Sequence, residues 1–361
     1  MGEKARIATL LPVRELLSKR KSGAVALSVA DFTAFSRFRD ETVILGASPC
    51  DLALPFHQLT DWRRWYLRDR VAYTRAAASF AKDKGVALIE AQNRPTILTE
   101  LRRALPDAKL ALFLHNDPQE MQGTRTSRER RRVLAEADAI LCNSEFVRGR
   151  FLDGLGIDAD KVHVVPNGLD MAGLPVLPKE KIVAFAGRIV RDKGVVELIK
   201  AFVLAAPRMS GWRLVVAGED RRGLLSGAEL RADIAALGDR LILLGHIDHS
   251  VATALFARAE IAATPAIWRE PFGRTTLEAM AAGCAVVSSG SGGSHEIIGD
   301  CGLIVDPVTP QALAEALVFL AQNDVRRTEL SRRGAARAAR LFDIRAVTAR
   351  LDDVRERLLS R

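Results

Sequence analysis

At 361 residues the chain is too long for one ordinary core and suits two domains of common size. A hydrophobic share of 48% beside 27% charged residues, with no biased tract, excludes a disordered chain, because apolar segments this frequent bury themselves on folding. The net charge of +9 is spread over both halves, so no basic tail points to a nucleic-acid partner.

The four cysteines, Cys50, Cys142, Cys284 and Cys301, stand far apart without a CxxC pair, which fits reduced thiols in a cytoplasmic protein. Charges at Glu3, Lys4, Arg6, Arg14, Glu15, Lys19 and Arg20 interrupt every early apolar run. No 18-residue apolar stretch follows, so neither a signal peptide nor a spanning helix is expected.

In chain order, short apolar runs near 5–10, 42–46, 86–90, 109–114, 138–142 and 161–165 read as strands, with helical stretches such as 22–38, 62–84 and 124–137 between them. Two basic concentrations fall on these helices. One is Trp62, Arg63, Arg64, Trp65, Tyr66, Arg68 and Arg70; the other is Arg125, Arg128, Arg130, Arg131 and Arg132. Interleaved rings and cations suit either a solvated helix face over tucked rings or a surface for an anionic membrane or acceptor. The only D-x-D run, Asp158-Ala159-Asp160, precedes a strand and reads as a turn, so no metal site is expected.

Residues 166–181, PNGLDMAGLPVLPKEK, carry Pro166, Gly168, Gly173, Pro175 and Pro178 and break all periodicity, as a hinge does. Strands near 181–187, 212–217, 241–244, 260–263, 285–288 and 302–305 then repeat the scheme, and after Pro310 the pattern is helical to Arg361. The expectation is an α/β protein of two Rossmann-like, doubly wound parallel sheets facing across a cleft. The domains are 1–170, 171–342 and a terminal helix, 343–361, that packs back on the first.

The segment EPFGRTTLEAMAAG, residues 270–283, carries the most chemistry. Glu270 precedes a Pro271-Phe272-Gly273 turn, and Thr275 or Thr276 opens a helix bearing Glu278. A helix start after a glycine turn presents free N–H groups and a positive dipole end to a phosphate. Glu278, one turn in, can accept from a ribose diol, and Glu270 from hydroxyls beyond the phosphates. Read as plain structure, both carboxylates simply favour a helix N-terminus.

This segment resembles the E-x7-E signature of glycosyltransferase family 4, whose members have the two-domain GT-B fold. VAFAGRIVRDKGVVELIKAF, residues 183–202, is similar to the family's strand, Gly-Arg, Lys-Gly and helix sequence, and VVPNGLD (164–170), LVVAGED (214–220) and ILLGHI (242–247) are further echoes. The resemblance implies that Arg188 and Lys193 meet the donor diphosphate, with Phe272, Gly273, Arg274, Thr275, Thr276, Gly187 and Gly218 lining the donor site. It places Gly245, His246 and Ile247 by the nucleobase. FLHND, residues 113–117, resembles the family's strand-end histidine, which places His115 beside the transferred sugar. KRKSGAVALSVADF, residues 19–32, stands where the family has a Gly-Gly loop, but only Gly23 remains.

A strand-end arginine and a lysine before a helix can converge on two phosphates and compensate leaving-group charge without metal. The implied function is therefore a retaining, metal-independent hexosyl- or hexosaminyltransferase that requires no cofactor. Its donor is a UDP-sugar or GDP-mannose, and its acceptor a glycan or lipid-linked glycan of lipopolysaccharide or other surface polysaccharide, with peripheral contact to an anionic membrane. Two other classes compete. A dinucleotide oxidoreductase would need GxGxxG after the first strand, and GSGG at 290–293 comes too late. A non-catalytic scaffold would be expected to lose the charged pairings that remain.

Overall fold

The computed structural model describes residues 5–18, 22–59, 70–156 and 160–360. The run from Trp62 to Arg68 and two residues of the D-x-D triplet, Asp158 and Ala159, lie outside the described residues. The chain forms two compact units, one of Met1–Gly168 with Ile344–Arg361 and one of Leu169–Asp343.

The first unit runs β1 (Ile7–Leu10), α1 (Ala24–Phe35), β2 (Thr42–Gly46), β3 (Phe56–Gln58), α2 (Arg70–Lys84), β4 (Leu88–Gln92), α3 (Leu98–Ala104), β5 (Lys109–Leu114), α4 (Ser127–Glu136), β6 (Ala139–Cys142), α5 (Glu145–Leu152) and β7 (Val162–Val164). The second runs β8 (Glu180–Ala186), α6 (Val195–Ala205), β9 (Arg213–Ala217), α7 (Ala228–Leu237), β10 (Leu241–Gly245), α8 (His249–Arg258), β11 (Ala259–Thr264), α9 (Arg274–Ala281), β12 (Ala285–Ser288), α10 (Ser294–Ile298), β13 (Leu303–Ile304), α11 (Pro310–Gln322) and α12 (Asp324–Phe342). The last helix, α13 (Ile344–Leu359), belongs to the first unit.

Each unit is built on one parallel sheet, ordered β3-β2-β1-β4-β5-β6-β7 in the first and β10-β9-β8-β11-β12-β13 in the second. Every strand read from the sequence forms. β3 is additional: Phe56-His57-Gln58 is too short to show a period, and it exists only because β2 offers an open edge at Ile44 and Leu45.

Strand order reverses between β1 and β4 and again between β8 and β11, the switch points at which open parallel sheets bind ligands beyond their carboxyl ends. Both faces of such a sheet must be covered, which is why β5, KLALFL, is buried almost throughout. In the first unit one face packs Ile89, Leu110 and Leu112 under Leu98, Leu101 and Val133. The other face packs Ile7, Leu88 and Phe113 under Ile344, Val347 and Leu351 of α13. Each buried aliphatic side chain there contributes roughly 1.5–3 kcal/mol.

α13 is also fastened by charge. Arg355, 2% exposed, donates from Nε and Nη2 to the two oxygens of Glu90 on β4, each at 2.8 Å, and from Nη1 to Asp352 (3.1 Å) and Ser36 (2.9 Å). Thr9 of β1 donates to the same Glu90 carboxylate at 2.9 Å. Burial pushes the Glu90 carboxyl up, but the charge and hydrogen bonds of Arg355 outweigh it and hold the group below the usual carboxylate range.

The second basic concentration is partly structural. Arg130 is buried and donates to the carbonyls of Thr124 (3.1 Å) and Arg125 (2.9 Å), below a capping box made by Thr126 and Glu129. Arg125, Arg128 and Arg132 remain on the surface.

Removing one partner of a buried ion pair leaves the other charge uncompensated. Glu90→Ala should therefore lower unfolding free energy by about 3–5 kcal/mol in urea titrations at neutral pH. The paired replacement Glu90→Leu with Arg355→Met should recover most of that loss.

Candidate active site

In the second unit the candidate site lies beyond the carboxyl ends of β8 and β11. β8 ends at Ala186, Gly187 and Arg188 follow it, and a short 3-10 turn, Arg191–Lys193, then leads into α6 through Gly194. β11 leads through Trp268 and Glu270 to Gly273, the N-cap of α9. α9 thus starts at Arg274, one residue before the threonines expected to open it.

Lys193 and Glu270 are brought together as an ion pair, with side chains 21% and 14% exposed. The indole Nε1 of Trp268 donates to the same Glu270 oxygen at 3.1 Å. Arg188 stands exposed at the end of β8 and has no side-chain partner among the described residues.

Glu278, one turn into α9, accepts on Oε1 from Arg274 Nε at 2.9 Å and pairs there with His249 Nε2 at 3.0 Å. Burial pushes the Glu278 carboxyl up. The hydrogen bond from His249 and the charge of Arg274 more than offset it, so the group titrates below the usual carboxylate range.

The other predicted residues divide by role. Phe272 is a core residue, 4% exposed and edge-on to Phe342. Thr276 is buried and bonds Thr264 at 3.0 Å, while Thr275 is half-buried. Gly218 donates to the Gly245 carbonyl at 2.7 Å, and a β-carbon on it would lie 1.7 Å from the Gly187 carbonyl oxygen. These three glycines therefore line one backbone surface at the ends of β8, β9 and β10. His246 is exposed, and Ile247 packs against the core beneath α8 and α9.

What holds Glu270 is the segment GSGG, residues 290–293. Glu270 and Gly292 form a bridge, and the Gly293 N–H donates to the Glu270 carbonyl at 2.7 Å. A β-carbon at Gly292, where φ is 64°, would lie 2.2 Å from that carbonyl oxygen, and one at Gly293 would lie 2.4 Å from the Pro271 carbonyl oxygen. Only glycine permits this approach.

In the first unit His115 follows β5. Its ring stacks on Phe113 with centroids 4.4 Å apart, and Nε2 is 2.8 Å from Gln92 Oε1. Its N–H donates to Asn93 Oδ1 at 3.1 Å and its carbonyl accepts from Asn143 Nδ2 at 3.2 Å. Burial pushes the imidazole down to about 3, so it is neutral at physiological pH.

Asn93 sits at a φ of 56°, which an asparagine tolerates. Gln92, Asn93, Asn143, Trp268 and His249 were not singled out in the sequence; amides and a loop indole carry no spacing signal. Gly23 is the N-cap of α1, and there the carboxylate of Glu15, not an open anion site, meets the helix: Glu15 Oε1 accepts from Ala26 N at 3.3 Å. Among the described residues no cluster of His, Cys, Asp or Glu could hold a metal ion.

The family described as "Glycosyl transferases group 1" matches residues 170–337, and "Glycosyltransferase Family 4" matches residues 34–172. The chain belongs to this glycosyltransferase family. As a glycosyltransferase of this kind it transfers a sugar from a nucleotide-sugar donor.

It is 23% identical over 365 residues to the putative glycosyltransferase YtcC of Bacillus subtilis, covering 94% of this chain and 89% of YtcC. It is 32% identical over 237 residues to the D-inositol 3-phosphate glycosyltransferase of Salinispora tropica, covering 58% of this chain and 49% of that enzyme. The match therefore spans about half the length of the latter relative. The crystal structure of Anabaena Alr3699/HepE in complex with UDP-glucose matches with a TM-score of 0.77 at 21% identity, over 97% of this chain and 99% of that one, which shows the GT-B fold.

Two outcomes follow from this geometry. Gly292→Ala should weaken nucleotide binding at least about tenfold and lower the melting temperature by several degrees, since a β-carbon at positive φ strains the turn. His115 has a folded pKa below its unfolded value of about 6.5, so its contribution to stability is complete above that pH and is lost as pH falls toward its folded value. Between pH 6 and 4 the unfolding free energy should fall by about 1 kcal/mol per pH unit more in the wild type than in His115→Gln, read from urea titrations.

Proposed function

We propose that this glycosyltransferase moves a hexose or hexosamine from a UDP-sugar or GDP-mannose with retention at the anomeric carbon and without a metal. The acceptor in this reading is a glycan or lipid-linked glycan of surface-polysaccharide assembly, lipopolysaccharide included. The observation that carries it is the Lys193–Glu270 pair beside the N-terminus of α9, at the strand-order switch point of the second unit.

Arg188, Lys193 and the first amides of α9 neutralise the donor diphosphate as the leaving group departs. Gly187, Gly218 and Gly245 give it close backbone approach. Glu270 accepts from hydroxyls of the transferred sugar, and Glu278 from the ribose diol next to the base. Neither carboxylate is needed as a nucleophile, because the leaving phosphate oxygen can take the acceptor's proton on the face where the new bond forms.

His115, kept neutral by burial and held by Gln92, Asn93 and Asn143, is the first-unit residue this reading assigns to the transferred sugar. In this assignment the second unit binds donor and the first binds acceptor. No helix among the described residues is long and apolar enough to cross a membrane. The proposed place of work is the cytoplasmic face of an anionic membrane, met through the basic residues near Arg63 and Arg128.

A nucleotide-release screen over UDP-, GDP- and ADP-sugars tests the reading. One donor should be turned over at the same rate with and without chelator. Lys193→Ala and Glu270→Ala should each reduce that rate by about a hundred- to a thousandfold with the fold intact. Activity that vanishes with chelator would refute the metal-free assignment, and near-normal rates in either variant would remove that residue from the site. Binding to anionic but not neutral liposomes at low salt is expected, with loss on replacing Arg63, Arg64 and Arg68.

A further inference from the structure

The Lys193–Glu270 pair sets up a conflict within the donor site. Glu270 is paired with Lys193, yet the reading above needs Lys193 on the diphosphate and Glu270 on the sugar. When a more highly charged diphosphate takes the lysine, a carboxylate only 14% exposed loses its cation. Something must keep it in place.

Trp268 is placed to do this. Its indole N–H donates to the Glu270 oxygen that Lys193 also holds, at 3.1 Å, and the Lys193 ammonium lies 5.3 Å from the centre of the indole ring. Its backbone is tied to the lysine's own turn: the N–H groups of Ile267 and Trp268 donate to the Asp192 carbonyl at 2.8 and 3.3 Å. Gly194, which ends that turn, comes so close that a β-carbon on it would lie 2.0 Å from the Pro265 carbonyl oxygen. The two loops are therefore joined through their backbones, which sets the ring beside both the carboxylate and the ammonium. Trp212, by contrast, is a core residue only 3% exposed, whereas Trp268 is half-buried at the mouth of the site.

We propose that Trp268 is a positioning residue of the donor site, whose indole N–H retains Glu270 in sugar-binding position while Lys193 passes from that carboxylate to the diphosphate. The proposal rests on the donor-site reading given above. It makes Glu270 available without letting it swing toward the leaving group, where its negative charge would oppose the diphosphate. The ring also gives the lysine a surface along which to move without full hydration.

The test is titration calorimetry with four probes, UDP, UDP-glucose, GDP and GDP-mannose, on the wild type, Trp268→Phe, Glu270→Gln and the double variant. Trp268→Phe keeps a ring against Lys193 and removes only the N–H. It should bind the nucleoside diphosphate within about twofold of wild type and the matching nucleotide sugar about tenfold more weakly, as loss of a hydrogen bond to a charged group implies. In the Glu270→Gln background the same substitution should change nucleotide-sugar affinity by less than about twofold, because the carboxylate it positions is gone.

A merely structural tryptophan would weaken nucleotide and nucleotide sugar alike and would do so in both backgrounds; that result overturns the proposal. Unchanged nucleotide-sugar affinity in Trp268→Phe overturns it as well. A wild type that binds none of the four probes overturns the donor-site reading itself, and the proposal with it.

Discussion

Backbone packed directly on backbone is the constraint from which the candidate site of the second unit follows. Gly292 and Gly293 press against the carbonyls of Glu270 and Pro271 at distances that leave no room for a β-carbon. The bridge this creates fixes Glu270 just before the turn into α9 and sets where that helix begins. A carboxylate on a free loop would drift toward any cation. Here it is held from behind by main chain, and its side chain is shared between Lys193 and Trp268.

The electrostatics of the site show a division between carboxylates. Glu278 is half-buried and held by Arg274 and His249, so its ionisation is secured by neighbours that arrive with the fold. Glu270 is paired instead with Lys193, a residue of the turn after β8. One carboxylate is thus held by two helix residues, Arg274 and His249, and the other by a loop lysine and the Trp268 indole.

The first unit solves a related problem with neutral groups. His115 is kept uncharged by burial and oriented by Gln92, Asn93 and Asn143 at the ends of β4, β5 and β6. Its rigidity depends on the sheet beneath, and that sheet is closed by a helix from the far end of the chain. The bidentate Arg355–Glu90 pair, with Thr9, Ser36 and Asp352 satisfying what remains, fixes α13 across β1 and β4 in a single register. A purely apolar face would hold the helix but tolerate sliding.

The sequence by itself determined the alternation of strand and helix in both sheets, because each strand is a near-continuous apolar run bounded by breakers, and the period survives without any tertiary information. It also determined the family, through glycines and charges at fixed spacing such as Glu270 and Glu278. What only the tertiary structure decided were features with no period and no spacing. β3 forms because an edge was open. Glu15 meets the start of α1, and Arg355 finds Glu90 across 265 residues of chain. Trp268 comes to Glu270 and Lys193 because two loops from neighbouring strands share hydrogen bonds. Local pattern reports what a residue does to its own stretch of backbone, whereas the company a polar side chain keeps is set by which strands become neighbours.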